Sequence, residues 1–348
     1  MKKGAADFLS YDSENQVYYL DNEQMVIDQV EKDHWKIVAR TFIKDWRLYL
    51  MLVPMLLIFL FWRYFPMYEL LVAFKAKGPS GVRVNELDFC GFDNFKTVLF
   101  GDYKTDFWMA FRNTFVLSFY GLLFGFPVPI ILALFFNEIK SNGYRSVLQV
   151  LTYLPKFIST VIMTTLVWFL LSGTKIGEEN PGILASFLEK LGMITPEEAS
   201  TGMMYHSQYF RTVYIVSGIW EGAGYGSIVY FAAVIAISPT NYEAAQIDGA
   251  GKMAQMRYVV LPSILSTIVI MLIVRIGSLL SIGYEQVLLM RSNQTYVTAQ
   301  VVSTYAIDLQ LVSTSYATIP EFVNNITSMI LVIGANAISR KATDTSLY

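Results

Sequence analysis

Charge is scarce in this chain. Only 16% of its 348 residues are Asp, Glu, Lys or Arg, against about 25% in an average soluble domain. That deficit excludes an ordinary soluble enzyme. The 26 basic residues are nearly balanced by 28 acidic ones, so the basic surface that nucleic acid demands is missing. Cys90 is the one cysteine, which excludes an internal disulfide framework. His34 and His206 are the only histidines, so no Cys/His metal centre is expected. A Gly-x-x-x-x-Gly-Lys-Ser/Thr phosphate loop is absent, so any nucleotide chemistry must come from another chain. No Ser/His or metal constellation supports an intramembrane hydrolase. What the chain has is apolar: 54% of it is hydrophobic, with a mean hydropathy of +0.43. That combination describes a polytopic membrane protein.

A bilayer core of about 30 Å takes roughly 20 mostly apolar residues of helix to cross. Six runs qualify: Leu48–Phe65, Phe111–Phe136, Tyr153–Leu171, Val213–Ile237, Ile264–Leu289 and Pro320–Ile338. Long continuous runs fit helices rather than barrel strands. The expected class is therefore an all-α membrane protein with six crossings. Lys36, Arg40, Lys44, Arg47, Lys140, Arg145, Lys252, Arg257, Arg340 and Lys341 all fall on one side of such a chain, with Lys156 near that boundary. Basic short loops mark the cytoplasm, so both termini are expected inside. Residues 1–33 are polar and acidic, unlike a secretory signal, and are expected to form a cytoplasmic extension. In residues 34–47, Trp35, Val38, Phe42 and Trp46 recur at helical spacing with Lys36, Arg40 and Lys44 on another face. This predicts an amphipathic interfacial helix leading into a permease-like domain over 48–348; an ordinary helix packed on cytosolic protein is the alternative.

The segment from Ser238 to Pro262, between the fourth and fifth runs, carries the most specific pattern. It begins as a helix start, with Ser238 placed to cap, Pro239 as first helical residue, and Thr240 with Glu243 as a second possible capping box. Ala244-Ala245 and Gly249-Ala250-Gly251 are small, which lets a helix sit close against another surface. Glu243-Ala244-Ala245, Asp248-Gly249-Ala250 and Leu261-Pro262 together resemble the EAA loop of binding-protein-dependent ABC importer permeases. From about Trp46 to Tyr348 the chain is similar to the LplB-type branch of the MalF-like sugar permeases. Phe65-Pro66-Met67-Tyr68, Phe124-Gly125-Phe126-Pro127-Val128-Pro129, Tyr153-Leu154-Pro155 and Tyr284-Glu285-Gln286-Val287-Leu288-Leu289 carry that likeness. Lys252-Met253-Ala254-Gln255 departs from the family's usual aromatic and Gln after the loop glycine.

The resemblance implies a type I ABC importer permease in a bacterial plasma membrane. It implies a second permease subunit, two cytosolic ATPases, an external substrate-binding (lipo)protein, and an oligosaccharide or glycan cargo. Glu243, Ala244, Ala245, Asp248, Gly249, Ala250 and Gly251 would form the coupling helix and its turn. ATP and Mg would belong to the ATPases, with no cofactor in this chain.

Geometry suggests a substrate path. Glu221 and Arg275 are expected at similar depth, either as an ion pair fixing two helices or as sugar contacts. Tyr225 shares the Glu221 face, Trp220 offers a stacking surface, and Ser278 and Gln286 fall near the Arg275 face. Gly218, Gly222 and Gly226 allow either close helix approach or a local break that lines a cavity. Asn324 and Asn325 extend the candidates into the sixth run. The competing classes are an ion-gradient-driven transporter, an ABC importer of a non-sugar cargo, and a membrane sensor or scaffold. A second copy of the loop motif, which would favour internal repeats and the gradient-driven class, is absent.

Overall fold

The computed structural model describes residues 9–12, 17–20, 35, 38–39, 42–76, 86–172 and 181–343. It divides into two units, residues 1–69 and 70–348. In the first, Leu9–Asp12 pairs antiparallel with Val17–Leu20, and Leu9 stands opposite Leu20. This hairpin is an element the apolar runs do not foretell; the rest of the acidic extension lies outside the described residues. Of the expected interfacial helix, Trp35, Val38 and Phe42–Lys44 are helical, Asp45 forms a turn, and helix resumes at Trp46. Phe42 stacks on Tyr49 at 4.2 Å between ring centroids.

Among the described residues, three helices are long and apolar enough to cross a bilayer unaided: Trp46–Phe74, Lys104–Glu138 and Thr314–Lys341. Three bent pairs pass the same length and polarity test when taken together. Asn142–Phe157 turns by 100° into Thr160–Ser172, Ser207–Ile235 by 68° into Pro239–Ile247, and Lys252–Ser263 by 59° into Leu265–Gly277. With each bent pair taken as one span, the described residues hold up to six crossings in the expected order, with two differences in detail. The third run does not enter straight, because the chain is extended at Ile158 (ψ 135°) and Asn142–Phe157 lies across the next helix. The fifth run does not continue to Leu289: its helix stops at Gly277, and a new short helix spans Tyr284–Met290. Hydropathy sees one apolar stretch there, whereas the backbone makes a break.

A break at membrane depth leaves amide and carbonyl groups that lipid cannot satisfy, so it survives only inside protein or against water. Here Asn324 Nδ2 donates to the Leu280 carbonyl at 3.0 Å and Ser303 Oγ to that of Ile282 at 3.1 Å.

Apolar side chains lie on both the outside and the inside of the helices, and polar ones join the interior. Outward faces carry exposed Leu, Ile, Val and Phe, while Asn113, Thr114, Gln300 and Thr304 are at most 1% exposed inside. Large apolar side chains such as Phe107, Leu117, Met163 and Phe210 are buried beside them, and small residues let helices approach closely at their contacts. The tightest lies between the Ser207–Ile235 helix and Asn142–Tyr153: a Cβ on Gly224 would stand 2.0 Å from the Thr152 carbonyl oxygen. At the Ser207 end, Arg291 forks onto both Asp308 oxygens at 3.2 and 3.1 Å, and Gln300 Nε2 donates to the same carboxylate at 2.7 Å. This network ties together the segments that follow the break.

Candidate functional site: a central cavity and an exposed loop helix

Glu221 is the middle residue of the 29-residue helix Ser207–Ile235. A charge at that depth costs about 2.5–3.5 kcal/mol on insertion scales, so it must face protein or water. It faces a cavity of 590 Å³ walled by the middle of this helix, the Leu117–Pro129 stretch, the turn at Lys156, the end of Leu265–Gly277, and the break before Tyr284. The volume lies within the roughly 300–1,000 Å³ of small-molecule sites.

Arg275, Ser278 and Gln286 line this cavity with Glu221. The ion pair is different. Glu221 Oε1 accepts from Lys156 Nζ at 2.9 Å, and no Glu221–Arg275 bridge forms. Lys156 is therefore not a loop-boundary charge: the turn at Phe157–Ser159 swings it into the cavity. The Arg275 guanidinium makes no hydrogen bond or ion pair among the described residues. Its Nη2 lies beside Gly121, 3.9 Å from where a Cβ would be. Gln286 arrives by another route than helical phase, since it stands on the helix after the break; its Nε2 donates to Ser217 Oγ at 3.4 Å.

Other candidates lie elsewhere. Trp220, about 100° round the helix from Glu221, is 46% exposed and off the cavity wall. Tyr225 is off the cavity wall although Gly222, Ala223, Gly226 and Tyr230 of the same helix are on it, and its ring stands edge-on to Phe157 at 6.3 Å. Asn324 is buried and holds the Leu280 carbonyl instead of lining the path. Asn325 lines a separate recess with Glu321, Gln310 and Ser303.

The glycines divide by role. The helix through them is unbroken, and a Cβ on Gly218 or Gly222 would meet nothing within 4 Å, so these two leave the cavity open. Gly226 alone of the three approaches a neighbour, at 3.3 Å from Pro129. Across the cavity the helix carries one wide turn, Gly121–Gly125, whose two glycines also face the space. Wide turns of this kind recur at functional sites. Ser118, one turn before Gly121 on the same face, has a buried hydroxyl without a hydrogen-bond partner. Lys156 and Ser118 are cavity residues that sequence reasoning missed. A lysine inside the apolar run Tyr153–Leu171 was the available signal for the first.

The second feature is the loop. Pro239 is the first residue of the helix Pro239–Ile247, as expected, but Ser238 makes no side-chain cap and Thr240 lies inside the helix, not at its cap. Its end is well defined. Gly249 adopts φ +75°, its amide donates to the Gln246 carbonyl, and the Ala250 amide donates to Ala245 at 2.9 Å. That pairing is a Schellman turn, which wants glycine at its left-handed position. Glu243, Ala244, Gln246, Ile247, Asp248, Gly249 and Gly251 are exposed, Ala245 and Ala250 half-buried. Ile247 is 87% exposed, an apolar side chain with nothing on it. Tyr242 packs inward against the cluster of Val234, Val260 and Ile264. Beyond the turn, Lys252 pairs with Glu138 at the end of the second crossing. The loop helix is thus held at both ends and bare along its middle.

Residues 125–336 match the family model described as the binding-protein-dependent transport system inner membrane component. The chain belongs to that family. Protein LplB of Bacillus subtilis (strain 168) is 35% identical over 309 residues, covering 88% of this chain and 92% of that protein. The polygalacturonan/rhamnogalacturonan transport system permease protein YteP of the same organism is 33% identical over 321 residues, or 91% and 95% of the two chains. Among solved structures, a chain of the bacterial alginate ABC transporter in complex with alginate pentasaccharide-bound periplasmic protein superposes with a TM-score of 0.75 at 37% identity, covering 88% of this chain and 99% of that one. The likeness to ABC importer permeases read from the loop motif and the LplB-type likeness read from the motifs along the rest of the chain are both borne out, and the fold is that of a type I ABC importer permease. The permease is an inner-membrane transport component and not an enzyme.

Proposed function

We propose that this permease pairs with a second permease subunit, docks two cytosolic ATPases on the loop helix Pro239–Ile247, and passes a carbohydrate handed over by an external binding protein through the cavity around Glu221. The observation that carries this reading is the loop helix itself, closed by Gly249, pinned by Lys252–Glu138, and exposed from Glu243 to Asp248 except at half-buried Ala245. A bare helix anchored at both ends fits a docking surface, and Ile247 supplies an apolar anchor for a partner pocket. Nucleotide and Mg belong to the ATPases. Their closure would push the loop and, through Ser207–Ile235, move the cavity wall. Relatives named for polygalacturonan, rhamnogalacturonan and alginate transport support a glycan cargo. The loop end faces the cytoplasm in this reading, with both chain ends on that side.

Glu243→Ala with Asp248→Ala is expected to reduce co-purification of the ATPases and cargo-stimulated ATP hydrolysis in the reconstituted complex by about tenfold, with the permease still inserted. Unchanged ATPase docking in that variant would remove the coupling role. Labelling at Asp248→Cys in a Cys90→Ala background is expected only from the cytoplasmic face; labelling from outside would reverse the orientation.

A further inference from the structure

Helix Ile183–Lys190 stands at the end of the molecule away from the loop helix, and one of its faces is bare. At about 100° per residue, Ile183, Leu184, Phe187 and Leu191 fall on a single arc. All four are exposed, Ile183 by 69% and Phe187 by 56%. The opposite side is occupied: Ala185 is buried, and Leu188 packs on the cluster that includes Leu171, Ile194 and Phe210. Gly192 closes the helix at φ +70°, and the Met193 amide donates to the Leu188 carbonyl at 3.0 Å. That turn leaves a further apolar side chain, Met193, exposed. The next helix, Pro196–Thr201, instead exposes Glu197, Ser200 and Thr201 beside Pro196.

The height of the bare arc says what covers it. Ser207 stands about 21 Å from Glu221 along their helix, at 1.5 Å per residue. Half the hydrocarbon core of a bilayer is about 15 Å. With Glu221 at the middle, Ser207 lies in the headgroup layer. The chain just before it is bound to the end of the third crossing. The Met204 amide donates to Ser172 Oγ at 3.2 Å, and a Cβ on Gly202 would meet the Ser172 Cβ at 2.8 Å. On that same crossing, a Cβ on Gly182 would stand 2.3 Å from the Leu170 carbonyl oxygen. Ile183–Lys190 therefore starts at the boundary between acyl chains and headgroups. Trp168 and Tyr205, edge-on at 5.2 Å, mark the same height, and Trp and Tyr collect at this boundary. The arc also continues a surface. Ile162, Leu166 and Phe169, exposed along one face of Thr160–Ser172, lead up to Leu170, where Ile183–Lys190 begins.

An amphipathic helix at this height sinks its apolar face about 5–10 Å into the bilayer surface. We propose that Ile183–Lys190 lies in the membrane surface as a float, its arc among the upper acyl carbons and the exposed Lys190, which flanks that arc, at the lipid phosphates. The partner is phospholipid, rather than the external binding protein or the second permease. The reading of the loop helix as cytoplasmic makes this the outer leaflet; the lipid contact itself holds on either side.

The test uses the assembled complex of both permeases and the ATPases in phospholipid nanodiscs. Phe187→Cys and, for comparison, Ser200→Cys each carry a polarity-sensitive fluorophore in a Cys90→Ala background. A nitroxide on the upper acyl chain of the lipid is expected to quench the probe at position 187 about threefold more than that at 200, and aqueous iodide to do the reverse. Leu191→Cys gives the same reading where Phe187→Cys does not assemble. Iodide quenching as strong at 187 as at 200 overturns the proposal, because the arc then faces water. Shielding from both quenchers overturns it as well and gives the arc to the second permease. Shielding from iodide that appears only when cargo-loaded binding protein is added gives it to that protein, and again overturns the lipid contact. None of these readings depends on ATPase docking or on cargo identity, so they stand or fall apart from the function proposed above.

Discussion

Gly222 and Gly224 stand two residues apart on one helix and do opposite work. A side chain on Gly222 would enter open space, whereas on Gly224 it would enter the backbone of Asn142–Tyr153, 2.0 Å from the Thr152 oxygen. Gly224→Ala is therefore expected to cut the yield of folded permease severely, since overpacking against backbone costs about 1–3 kcal/mol or more. Gly222→Leu is expected to fold, to shrink the cavity, and to slow passage of the larger cargo first; yield and uptake measured together separate the two effects. The spacing of Gly218, Gly222 and Gly226 in the sequence suggests close approach, but a repeat of small residues does not say which faces a neighbour. Gly249 was easier to read, because Asp-Gly-Ala after a short helix already points to a turn of this kind.

At the scale of elements, apolar composition locates the crossings but does not follow the backbone through them. Ile264–Leu289 is apolar throughout, yet it breaks between Gly277 and Gly283, and the same length of chain therefore contributes both a wall and a floor to the cavity. In physical terms, burial against Asn324 and Ser303 decides the matter, and those donors lie 44 and 21 residues away along the chain. Asn324→Ala is expected to lower thermal stability in detergent by about 1–3 kcal/mol, the cost of stripping a buried carbonyl of its donor. Asn325→Ala, at an exposed position, is expected to be neutral. The helix Pro196–Thr201 carries a pH signature of its own. The Thr195 amide donates to the Glu198 carboxylate and holds its pKa below the ordinary value. Its support is complete above the usual carboxylate range and is lost as pH falls through the lowered value. Amide exchange across 195–201 is expected to quicken only at such acid pH, and in Glu198→Gln to be fast at every pH.

At the scale of the whole molecule, the cavity's charges Lys156, Glu221 and Arg275 come from three different crossings. Fold class and crossing number were legible because a bilayer imposes length and polarity on every crossing. Lys156 was not, since its role depends on the turn at Phe157–Ser159, which brings it to Glu221 from 65 residues away. Tertiary arrangement of this sort is invisible to a count of loop charges. The hairpin at Leu9–Asp12 and Val17–Leu20 escaped for a simpler reason: strands of four residues give too short a record of alternation to stand out from an acidic tail.

The helix Ser207–Ile235 runs without interruption for about 44 Å at 1.5 Å per residue, with Glu221 at its centre. A stiff rod rocked about its midpoint behaves as a seesaw: the ends sweep in opposite directions and the fulcrum hardly travels. Cargo resting beside Glu221 would then stay nearly still while the exits on either side exchange, so import would be a change of which door stands ajar.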